Sequence, residues 1–149
     1  LKAFPGILKI MEEEGFKYWL TDHEDMRSPF PKHMHEELRS QTTQRFSEWI
    51  HTVGKEGMSQ LKETEIVEMF EMFLFNVGLS LTSDPDQQIT ITYPLMPRCG
   101  DEVDDINNGL SSVTHRKIIE KDGEKRQLQL VLKTQSGGKS WQTEFELPA

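Results

Sequence analysis

"TSDPDQQITITYP", residues 82–94, is the stretch on which the fold turns. Before it, apolar residues recur at helical spacing; after it, they alternate. Inside it, Ile89, Ile91 and Tyr93 alternate with threonines, which is the period of a strand with one covered face. The alternation predicts that the helical region of the chain ends near residue 82 and a β region begins at 87.

Working back from there, three helices are expected. Phe4, Ile7, Leu8 and Met11 make a one-sided stripe, with Gly15 as a helix stop. A second helix starts at Pro31 and runs to about Val53, with Gly54 ending it. A third runs from about Leu61 to Val77 or Gly78. On its wheel Lys62, Glu65, Glu68 and Asn76 form a narrow polar stripe. Ile66, Val67, Phe70, Phe73, Leu74 and Val77 fill the opposite face. Met69, Met72 and Phe75 fall on or beside the polar stripe. A helix apolar around most of its girth is a central one, or one that keeps Met72 and Phe75 exposed for a partner.

Working forward, "LQLVL" places Leu128, Leu130 and Leu132 on one strand face. "SWQTEFELP" places Trp141, Thr143, Phe145 and Leu147 opposite Gln142, Glu144 and Glu146. Asp122-Gly123 joins "VTHRKIIEK" to "EKRQLQLVLK" as a hairpin, and "SGG" marks the next turn. One apolar and one polar face predict an antiparallel sheet covered on one side. The fold class is therefore α+β in one domain over 1–149: three helices (helical region 1–82), then a four-stranded antiparallel meander (β region 87–149). The "GDEV…NG" opening followed by a "DG" hairpin resembles that of small SH3-like barrels. Closure into such a barrel is the alternative to a sheet covered by the three helices.

Bulk properties narrow the function. Of 149 residues, 17 are basic and 25 acidic, a net charge of −8. Up to Pro85 there are 9 basic and 15 acidic residues, and after it 8 and 10. Neither half offers the basic footprint that phosphate binding requires, so nucleic acid and anionic membrane are not expected partners. No apolar run approaches the ~20 residues of a membrane span. Acids at Glu12–Glu14 argue against a signal peptide, and the missing initial Met fits a chain that has been processed, trimmed or excised. A lone Cys99 excludes an internal disulfide and a cysteine-rich zinc site and fits a reducing, cytoplasmic home.

"HEDMRSPFPKHMHEE", His23–Glu37, holds three of the five histidines. On a helix His35 lies about 200° from His33, so the pair cannot chelate one ion as it would on a strand. Met34, Leu38, Thr42, Phe46, Trp49, Ile50 and Val53 gather on the side of His35. His33, Glu36, Glu37, Ser40, Gln44, Glu48 and His51 gather on the other. Glu48-x-x-His51 has di-iron spacing, but such sites need the motif twice with two more glutamates. His33 and His51 stand about 27 Å apart along the axis. The cluster reads as a helix start, with Pro31 in the first turn and Glu36 and Glu37 at the positive helix end. His23, beside Asp22, Glu24 and Asp25, lies in the preceding loop.

Cys99 in "PRCGDE" is a candidate nucleophile, with His115 as its base. "GDEVDDINNG" clusters Asp101, Glu102, Asp104 and Asp105, but an EF-hand alignment on Gly109 puts Ile106 and His115 where acids belong. No Gly-x-Ser-x-Gly, phosphate-cradling loop or His-Glu-x-x-His occurs. The expected function is a non-enzymatic acidic binding or regulatory module of inhibitor, immunity or adaptor type, with no metal or cofactor. It engages a protein partner, a basic one by charge, through Met72, Phe75, Asp101, Glu102, Asp104 and Asp105; homo-oligomerisation stays open. The alternative is a metal- or cysteine-dependent hydrolase using His23, His33, Glu37 or Cys99.

Overall fold

The structure, a computed structural model, describes residues 4–24, 26–120, 123 and 125–148. Among these residues the chain forms four α-helices, a short 3-10 turn and four strands, grouped in two compact units, Leu1–Pro94 and Leu95–Ala149. The α+β class holds, with four helices where three were expected.

In the first unit α1 spans Phe4–Leu20, α2 His35–Ser59, α3 Glu63–Ser80 and α4 Pro85–Thr92. Phe16, Leu20, Phe46, Phe70, Leu74 and Val77 form the centre of its core. The Phe70 ring stands edge-on to Phe16 and Phe46, with centroids 5.1 and 5.3 Å away. Such aromatic pairs add to the free energy of burial. α1 does not stop at Gly15. A Cβ there would lie 2.4 Å from the Phe70 ring, so the glycine lets α1 lie close against α3.

α2 is entered through a 3-10 turn, Lys32–Met34, after Pro31, and its outward face carries the residues the wheel placed there. Leu38, Thr42 and Phe46 are buried on the other side. Gly54 interrupts the helix as expected, at φ 79° and ψ 166°, but a last turn continues to Ser59. α3 begins where the Glu65 carboxylate accepts the Lys62 N–H at 3.1 Å, satisfying one of the unpaired amides of the first turn.

The strand predicted over residues 87–93 is the helix α4. The Asp84 carboxylate caps it by accepting the Asp86 N–H at 3.2 Å, and Pro85 occupies its first turn. These are helix-start signals. Ile89, Thr90 and Ile91 are all buried, whereas a half-covered strand would have left Thr90 in water.

In the second unit β1 (Glu102–Asp105), β2 (Gly109–Ile119), β3 (Gln127–Thr134) and β4 (Ser140–Glu146) form an antiparallel sheet in chain order. It is the expected meander, with "EVDD" supplying the strand expected at 87–93. Ile119 pairs with Gln127, as a hairpin there requires; Asp122 lies outside the described residues, and Gly123 has φ 74°. Leu128, Leu130, Leu132 and Leu147 are buried, while Gln142 and Glu144 face water. Trp141 and Phe145 are half-buried, because β4 is an edge strand with a neighbour on one side. The register shifts between Val113 and His115, a bulge that bends β2. The Trp141 indole N–H reaches from β4 over β3 to the Ser111 Oγ of β2 at 2.9 Å, which closes the curl of the sheet. β1 and β4 remain edges, so among the described residues the curl is a half-barrel.

Candidate functional site

A groove of about 410 Å3 runs between α1 and α3 of the helical unit. Gly15 and Phe70 lie in its floor, and Ile10, Tyr18 and Val67 rise along it. These last three are exposed by 58%, 43% and 37%, high values for large apolar side chains on one continuous strip. The helical repeat builds the strip: Ile10, Glu14 and Tyr18 are four residues apart on α1, as are Glu63, Val67 and Glu71 on α3. Each wall is about 12 Å long.

Three carboxylates rim this strip. Glu71 accepts the Trp19 indole N–H at 2.8 Å and ties the two helices together. Trp19 is edge-on to Phe75 at 4.7 Å, and Phe75 to Phe30 at 5.2 Å, so the end of the groove is well packed. Glu14 and Glu63 have no ion-pair or hydrogen-bond partner among the described residues. The acid-rich run that ends at Glu14 begins with Glu12, whose carboxyl is pushed above its usual range by burial and then by neighbouring Glu13.

The residues singled out in the sequence are dispersed. Met72 is exposed by 43%, in the polar stripe of α3 with Glu65, Glu68 and Asn76. Phe75 is half-buried against Trp19 and Phe30, so its ring is already engaged within the helical unit. In the sheet unit Glu102 and Asp104 are exposed on β1. Asp101 accepts the Arg98 N–H at 2.8 Å and holds the turn before β1. Asp105 accepts the Asn107 and Asn108 N–H groups at 3.0 and 2.9 Å and the Asn108 side chain at 3.0 Å. Those bonds, the Asn108 amide first, hold its carboxyl below the usual aspartate range.

Two of the histidines are held by carbonyls. His35 donates from Nε2 to the Phe30 carbonyl at 2.8 Å, and His23 to the Tyr18 carbonyl at 3.1 Å. His33 and Glu37 are exposed on the helix surface. Asp25 lies outside the described residues. Among the described residues no three His, Cys, Asp or Glu side chains gather around one point. Cys99 is exposed, and the one hydrogen-bond partner of the His115 ring among the described residues is the Thr114 hydroxyl, at 3.2 Å. No helix among them is long and apolar enough to cross a membrane.

Compared with protein families, curated proteins and solved structures, the chain matches none. The groove is hidden in the sequence because Gly15 resembles a helix stop. A helix ending there leaves Tyr18 and Trp19 off the α1 wheel, and with them the pattern Ile10–Glu14–Tyr18.

Proposed function

We propose that this protein is a non-enzymatic binding module that engages a protein partner through the α1–α3 groove. The observation that carries the reading is an exposed apolar strip, Ile10, Tyr18 and Val67, beside two acids without partners among the described residues. Apolar side chains arranged this way favour association by leaving water, and acids at the edge orient the partner. Met72, Glu102 and Asp104 are further candidate contacts. Asp101 and Asp105 are assigned to turns, and Phe75 to packing. An acidic module of this type acts as an inhibitor, immunity or adaptor protein does, by occupying a surface of its partner.

Affinity capture from extract with the wild-type chain and with Val67→Asp tests the reading. Val67 is already part-exposed, so the substitution leaves the fold intact, which circular dichroism checks. A protein retained by the wild type and lost with Val67→Asp is expected. Identical capture by both chains would refute the assignment of the groove.

A further inference from the structure

We propose that the occupant of the α1–α3 groove is a cationic amphipathic helix of the partner protein. Its apolar face sits on Ile10, Tyr18 and Val67, and its lysines or arginines face Glu14 and Glu63. The inference rests on the reading of the chain as a protein-binding module and names the class of partner.

Backbone chemistry selects a helix. Both walls of the groove are helices, whose mid-helix N–H and C=O groups are bonded internally. An extended segment laid on this apolar floor would find no backbone partners, and each unpaired polar group taken from water is costly. A helix brings its own hydrogen bonds and presents only side chains. The walls, about 12 Å long, accommodate two to three turns, with anchors at i, i+4 and i+7 or i+8.

Charge selects a basic helix. Glu14 stands on the α1 wall and Glu63 on the α3 wall, so the apolar strip has an acid on each side. The complementary surface is an apolar stripe flanked on both sides by cations. A second copy of the same face would set Glu14, Glu63 and Glu71 against their equivalents. An anionic lipid surface would meet the same repulsion. The chain as a whole, at −8, adds long-range attraction for a cation and no steering toward its own copies.

The test is fluorescence anisotropy with a dye-labelled leucine–lysine peptide of about fourteen residues, leucines at helical spacing. Its controls are a scrambled peptide of equal composition and a version with glutamate for lysine. The wild-type chain should bind the amphipathic peptide, more weakly as salt rises, and neither control. Glu14→Lys/Glu63→Lys should weaken binding by roughly tenfold or more, and Val67→Asp should abolish it. Glu48→Lys/Glu56→Lys, two exposed acids of α2 outside the groove, should leave the affinity unchanged, since generic attraction to acid is not the claim. Equal binding of the scrambled peptide, or an affinity unmoved by the Glu14/Glu63 reversal, overturns the proposal. If no peptide binds while capture from extract still depends on Val67, the helical partner is wrong and the binding module stands. If capture is also independent of Val67, both fail.

Discussion

Glu14 and Glu63 in the helical unit and Asp101 and Asp105 in the sheet unit are the same functional group in different employment. The hairpin acids accept backbone N–H groups and hold the turns on either side of β1. The groove acids accept nothing from the described residues and border apolar surface. A count of carboxylates along the sequence ranks the hairpin first, with four in five residues. Hydrogen-bonding capacity reverses the order, because an acceptor already filled by the backbone has less left for a partner. The difference teaches that a charged surface is judged by its unfilled valences, and those depend on the local backbone.

The contrast is most severely tested by removing the floor of the groove. Phe70→Ala deletes a buried ring packed against Phe16 and Phe46 and should cost about 3–5 kcal/mol in denaturant unfolding. A loss under about 1 kcal/mol would mean that α1 and α3 are not held as described. The next contrast is within α3. Phe75→Ala should cost about 2–3 kcal/mol, less than a fully buried ring. Met72→Ala should fall within about 0.5 kcal/mol of wild type. Equal effects would erase the distinction between a ring engaged in packing and a side chain open to a partner.

A smaller effect is expected at Asp105, whose folded carboxyl titrates below its unfolded value. Its stabilising contribution is present above the ordinary aspartate range and is lost as pH falls through the lowered folded value. Asp105→Asn keeps an acceptor oxygen but no charge. The wild type should therefore be the more stable at neutral pH, with the gap closing on acidification. A gap independent of pH would sink the assignment. Smallest is Glu12→Gln, with the opposite sign. The raised carboxyl makes ionisation unfavourable in the fold, so the variant gains stability at neutral pH and loses that advantage in acid. Denaturant unfolding at neutral and acidic pH reads both variants.

Much of the sheet was legible because strand alternation reports directly on which face is covered. Leu128, Leu130 and Leu132 on one side and Gln142 and Glu144 on the other needed no tertiary knowledge. The helical unit was harder, for two physical reasons. "ITITY" has strand period, yet Asp84 and Pro85 start a helix, and a short helix buried around Ile89–Ile91 does not reveal its own period. Glycine within a helix is unfavourable alone, so Gly15 resembles a terminus until its neighbour Phe70 is known. That one ambiguity conceals the groove, and the wheel, which sets Met72 and Phe75 alike on or beside the polar stripe, does not tell the exposed Met72 from the half-buried Phe75. The bonds that engage Asp101 and Asp105 depend on turn geometry that a residue count does not contain.

Gly54 has a consequence for how the helical unit opens. α2 extends over His35–Ser59, but the backbone at Gly54 leaves the helical region, and a side chain at φ 79° would be strained. In cooperative terms α2 is therefore a long helix followed by a fragment too short to persist alone, since every helical run must meet its own nucleation cost. The fragment 55–59 is kept in place by Met58, whose side chain is buried in the core. Its amides should exchange with deuterium through a local release of that one side chain. Amides around Leu38–Phe46 should wait for the whole unit to unfold.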